Sequence, residues 1–86
     1  MKAAVFDTYV RREGKPKMHF DIIVPEGTEF ASVQDFGQEY LQSKGLQGLQ
    51  LSSYECRFCH IGAATPEMVQ SIEGKGYFIL EMEGCN

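Results

Sequence analysis

Polar and apolar residues alternate with a period of two over residues 17–24, Lys-Met-His-Phe-Asp-Ile-Ile-Val. This is the pattern of a strand with two unlike faces: Met18, Phe20, Ile22 and Val24 on one, His19, Asp21 and Ile23 on the other. Residues 3–10, Ala-Ala-Val-Phe-Asp-Thr-Tyr-Val, are rich in β-branched and aromatic side chains and predict a strand before it. Glu13-Gly14-Lys15-Pro16 supplies the turn between them, so a β-hairpin is expected. A helical period follows, with Val33, Phe36, Gly37, Tyr40 and Leu41 falling on one stripe. Ser32, with Asp35 at the third position beyond it, predicts the start of that helix; Lys44 and Gly45 predict its end. Residues 49–59 read as a third strand with Tyr54, Cys56 and Phe58 on one face. Thr65-Pro66-Glu67 opens a second helix, whose apolar side is Met68, Val69 and Ile72 and which Gly74 and Gly76 end. Tyr77-Phe78-Ile79-Leu80-Glu81-Met82 is the fourth strand.

The order ββαβαβ predicts a single small α+β domain over residues 1–86. Its expected form is a two-layer fold, with two helices on one face of a four-stranded mixed sheet, because helical connections permit crossovers. Phe6, Phe20, Ile22, Phe58, Phe78 and Leu80 are the expected core. The opposite face then carries Asp7, Tyr9, His19 and Asp21 side by side, with Ile23 and Tyr77. An aromatic-bearing sheet face of this kind suits a two-fold homodimer.

Composition narrows the function classes. With 43% hydrophobic and 23% charged residues, the chain carries enough apolar surface to order itself. A net charge of −4 weighs against nucleic-acid binding, which depends on neutralising phosphates. Four of the eight basic residues, Arg11, Arg12, Lys15 and Lys17, fall at the expected hairpin tip, where a turn calls for polar side chains. No apolar run approaches the ~18–20 residues that span a bilayer. Asp7 cuts the N-terminal apolar stretch too early for a signal peptide. The expected compartment is therefore the cytoplasm, with the three cysteines reduced.

Two constellations carry possible chemistry. The first is Cys56-Arg57-Phe58-Cys59-His60. C-x-x-C-H is the text of covalent haem attachment, which requires export. It also reads as a redox dithiol, though the helix that would lower a thiol pKa starts some residues later, at Pro66, leaving Arg57 and His60 to supply positive charge. As a zinc half-site it needs further ligands, and His60, Cys85 and His19 are the candidates beside Cys56 and Cys59. Adjacent side chains on a regular strand point apart, so Cys59 and His60 share a ligand only if the strand is broken. The alternative is structural, since a buried free cysteine behaves as a small hydrophobe. The second constellation is Asp7, His19 and Asp21 with Tyr9. A carboxylate beside an imidazole is general-base architecture, and carboxylates also hold divalent cations. The plain alternative is the wet face of a half-buried strand. No G-x-S-x-G nucleophile motif or phosphate-cradling glycine loop accompanies either group.

Several of these segments occur together in one known family. Val5-Phe6-Asp7-Thr8-Tyr9-Val10, Met18-His19-Phe20-Asp21, Cys56-Arg57-Phe58-Cys59-His60, Gly76-Tyr77-Phe78-Ile79 and Met82-Glu83-Gly84-Cys85, in this order, span nearly the whole chain. The chain resembles a family of short bacterial proteins catalogued as domain of unknown function twenty twenty-four. The resemblance implies a small two-layer α/β fold and no activity. The residues themselves favour a small binding or interaction module without catalysis. The alternative is a zinc- or thiol-dependent protein built on Cys56, Cys59 and His60; a minor alternative is a hydrolase-like site at His19 and Asp21.

Overall fold

Strands β1 (Lys2–Val10) and β2 (Met18–Pro25) form the expected hairpin, paired antiparallel from Ala3 opposite Pro25 to Val10 opposite Met18. They are the centre of the sheet. β3 (Tyr54–Ala63) adds to the outer side of β1 and β4 (Phe78–Glu83) to the outer side of β2, giving the order β3-β1-β2-β4. Helix α1 (Phe30–Ser43) connects β2 to β3, and α2 (Pro66–Lys75) connects β3 to β4. The computed structural model describes residues 1–46 and 54–85. Residues 49–53 of the expected third strand lie outside the described residues.

The sheet is antiparallel at every pairing, not mixed. β2 and β3 do run parallel, as the helical crossover suggested, but β1 lies between them and is antiparallel to both. β1 and β4 are separated by β2 in the same way.

The helices lie on opposite faces of the sheet, not on one. α1 buries Val33, Tyr40 and Leu41 against Ala4, Phe6, Val10, Met18, Phe20, Ile22 and Val24. α2 buries Ile72, with Met68 beside it, against Ala3, Val5 and Ile23. The cause is visible in the central strands. Ala3-Ala4-Val5-Phe6 and Ile22-Ile23-Val24 are apolar at consecutive positions, so those stretches must be covered on both sides. Phe78 consequently packs with α2 rather than with α1. Phe58 and Leu80, expected in the core, are 57% and 39% exposed, because each sits on an edge strand past the reach of a helix. Tyr77 is not on the open face: it is buried, stacked on Phe36 at 4.7 Å, and its hydroxyl donates to Glu39.

The helix ends follow local chemistry. The α2 start is capped by Thr65 Oγ1, which accepts from Met68 N at 3.2 Å, and Gly76 closes it in the left-handed conformation. Gly74 lies inside this helix rather than ending it. At the end of α1, Leu46 N donates to Leu41 O and Gly45 N to Gln42 O, a closure that needs the positive φ of Gly45. The start of α1 differs from the expectation. Glu29 is the cap residue and offers no side-chain bond, while Ser32 lies in the first turn. The turn after Pro25 releases the chain early enough for Phe30 to reach Phe6, at 5.9 Å between ring centres.

Candidate functional site

The face carrying α2 is divided by the hairpin register. Val5 opposite Ile23 forms an apolar row that α2 covers. The next rows, Asp7 opposite Asp21 and Tyr9 opposite His19, are polar and lie beyond the helix. The polar face of the hairpin therefore begins where the helical cover stops. Asp21, at that border and beside exposed Leu80, is buried to 9% exposure.

Asp7, His19 and Asp21 converge, one donor atom from each lying within 4.8 Å of the other two. His19 Nε2 is 3.9 Å from Asp7 Oδ1 and 3.8 Å from Asp21 Oδ1, too far for hydrogen bonds. His19 Nε2 and Asp21 Oδ1 are buried with no hydrogen-bond partner. Unpaired buried polar atoms are uncommon and costly, and here two of them face each other. The His19 ring is held by Tyr9, stacked at 4.2 Å, with the Lys17 ammonium 4.9 Å from the centre of the Tyr9 ring.

The two aspartates titrate as a pair. Desolvation and the hydrogen-bonded, negatively charged Asp7 push Asp21 up to about 6. The bond to Asp21 holds Asp7 below the ordinary carboxylate range. One proton shared across the strands is thus favoured, as for any two carboxylates in one site.

The third strand brings further groups to this site through a β-bulge. Phe6 pairs with Phe58 and Val5 with His60, so Cys59 has no partner of its own on β1. Before the bulge Tyr54, Cys56 and Phe58 face α1; after it His60 turns to the α2 face and Ile61 to the α1 face. Cys59 and His60 end on the same side, with Cys59 Sγ 3.2 Å from His60 Nδ1. Partial desolvation, then hydrogen-bonded Asp7 and the charge of Asp21, push the Cys59 thiol up.

The expected C-x-x-C pair does not form. Cys56 is on the α1 face, where Thr8 Oγ1 donates to its sulfur at 3.5 Å and burial raises its pKa. Cys85 is buried in the α1-side core, its thiol donating to Glu83 O and His19 O. Of the proposed ligand set, Cys59, His60 and His19 share a face, while Cys56 and Cys85 lie across the sheet. The basic hairpin tip is partly engaged: Arg12 donates to Gly84 O at 2.6 Å and Arg11 pairs with Glu55.

Two hollows flank the cluster. One, of about 440 Å³, is lined by Asp7, Tyr9, Glu55, Arg57, Phe58 and Cys59. The other, of about 150 Å³, runs under α2 past Asp21, His60, Ile23 and Met68. The sequence placed Asp7 beside Asp21 and Cys59 beside His60, with His19 as the one candidate common to both groups. The bulge joins them. Arg57, opposite Asp7, is a wall of the larger hollow.

Comparisons with known proteins bear on fold and family. The chain is similar to protein NE1680 from Nitrosomonas europaea, a structural genomics target solved by NMR. The two share 36% identity over 100% of each chain, with a TM-score of 0.84. No curated protein matches the chain. Among the described residues no helix is long and apolar enough to cross a membrane. A family model described as domain of unknown function (DUF2024) matches residues 1–82, and the chain belongs to that family.

Proposed function

We propose that this domain is a small binding module whose ligand is a divalent cation held by Asp7, His19 and Asp21. The observation that carries the reading is the facing pair of unpartnered buried atoms, His19 Nε2 and Asp21 Oδ1. Nitrogen and oxygen donors with metal bonds of roughly 2.0–2.2 Å stand roughly 3.3 Å apart around a tetrahedral ion, so the observed 3.8 and 3.9 Å separations close by about half an ångström. A cation would displace the shared proton and satisfy both carboxylates and the imidazole together. All three donors sit on neighbouring strands of one rigid hairpin, which favours a site formed before the ion arrives. The three cysteines are free thiols, which suits a reducing compartment such as the cytoplasm.

Isothermal titration of chelator-treated protein with Zn²⁺, Mn²⁺ and Mg²⁺ tests this. One equivalent of at least one cation is expected to bind, and Asp21→Asn and His19→Ala each weaken it by on the order of 100-fold or more, beyond the loss from an outer-sphere change. Absence of binding, or binding that both variants leave intact, refutes the reading.

A further inference from the structure

We propose that Cys59, turned onto the α2 face by the bulge in β3, is the fourth ligand of this site and makes it selective for zinc-like cations. The inference rests on the cation reading above and specifies its donor set. Three independent placements support it.

The first is the bulge itself. Regular alternation from Phe58 would leave only one of Cys59 and His60 on the polar side, whereas the unpaired position puts both there. The second is proximity. Cys59 and Asp7 line the same hollow, beside Arg57 and Tyr9. The third is freedom to move. Cys59 is exposed, and its sulfur lies 3.2 Å from His60 Nδ1, itself exposed. Rotation about χ1 between staggered wells carries it from His60 toward the carboxylates without disturbing the core.

Ligation follows simple chemistry. The S–H bond breaks, the proton passes to the neighbouring His60 nitrogen and on to solvent, and the thiolate forms the fourth bond to the cation. One proton is released and no electron is transferred. A set of one thiolate, one imidazole and two carboxylates is of the zinc type. Oxygen and imidazole alone would suit manganese as well. His60 is then a positioning residue, holding the thiol close and taking its proton.

Cobalt(II) is the probe, because thiolate ligation gives it an intense sulfur-to-metal charge-transfer absorption that oxygen and nitrogen ligands lack. The wild-type protein is expected to bind one equivalent with that band. Cys59→Ser should abolish the band and weaken Zn²⁺ by roughly tenfold or more, while Mn²⁺ affinity stays within about twofold. Cys56→Ser and Cys85→Ser, with circular dichroism confirming the fold, should retain the band. Bound cobalt without the band, or a band that survives in Cys59→Ser, overturns the inference and leaves the Asp7/His19/Asp21 site standing. Manganese or magnesium binding without cobalt or zinc overturns this inference alone, and absence of binding by all four cations overturns both.

Discussion

Asp7 and Asp21 are direct cross-strand partners, two carboxylates opposed at the centre of a hairpin with one edge of the pair buried. Like charges in that position repel, and below about pH 6 a proton held on the pair relieves the repulsion.

That arrangement fixes a pH dependence for the metal-free protein. The Asp21 pKa rises on folding from 3.8 to about 6, so the folded state favours its protonated form. Its contribution to stability is complete below the unfolded value and is lost as pH rises through about 6. Asp21→Asn removes the charge and keeps the shape. It should stabilise the metal-free protein at pH 7 by about 1–2 kcal/mol, discounted for solvent at the open side of the pair and for the opposite shift of Asp7. Denaturant titrations at pH 4.5 and pH 7 check it; an equal effect at both would contradict the shared proton.

The cysteines should separate by reactivity. Cys59 is exposed, Cys56 half-buried and Cys85 buried. A thiol reagent under native conditions should label one site quickly and the others only as the fold opens. Peptide mapping should place the fast label on Cys59, and Cys59→Ser should change stability by less than ~0.5 kcal/mol.

Gly37 of α1 lies against Tyr54 of β3. A methyl group there would collide with the Tyr54 hydroxyl and crowd Ile22. Burial raises the Tyr54 pKa, and its hydroxyl has no partner to move toward. Despite alanine's better helix propensity, Gly37→Ala should destabilise by about 1–3 kcal/mol, as overpacking does. Tyr54→Phe in the same background should recover part of the loss, measurable as a coupling in a double-mutant cycle.

Helix α2 is pinned mainly by Ile72, the buried residue of its apolar side. Ile72→Ala should cost about 2–4 kcal/mol. The loss should fall on the Ala3/Val5/Ile23 side of the sheet, so hydrogen exchange in α2 should accelerate more than in α1.

Much of this could be read from the chain, and the parts that could not have identifiable causes. The hairpin and the placement of Asp7, Tyr9, His19 and Asp21 followed from the alternation of residues 17–24, the β-branched and aromatic content of residues 3–10 and the short turn between them. The ends of α2 followed from Thr65, Pro66 and Gly76. The helix arrangement did not, because a four-strand, two-helix order satisfies one-sided and two-sided covering alike. The discriminating signal was there in the unbroken apolar runs Ala3–Phe6 and Ile22–Val24. The meeting of Cys59 and His60 depended on an unpaired residue. Its trace in the sequence is a slip of phase: apolar positions at Tyr54, Cys56 and Phe58 resume at Ile61 rather than at position 60. The cap of α1 failed because Ser32 and Asp35 match a motif that the preceding turn had already bypassed.

Both outer strands of the sheet break step with their neighbours, β3 opposite Val5/Phe6 and β4 opposite His19/Phe20. A long regular edge offers its unpaired amides as a template on which other chains can stack, the first step toward fibres. With one interruption on each side, no incoming strand can stay in phase with either border for its full length. Deleting Cys59 would straighten the β3 border, so the same loss that disperses the thiol and imidazole would leave the protein prone to strand-on-strand aggregation.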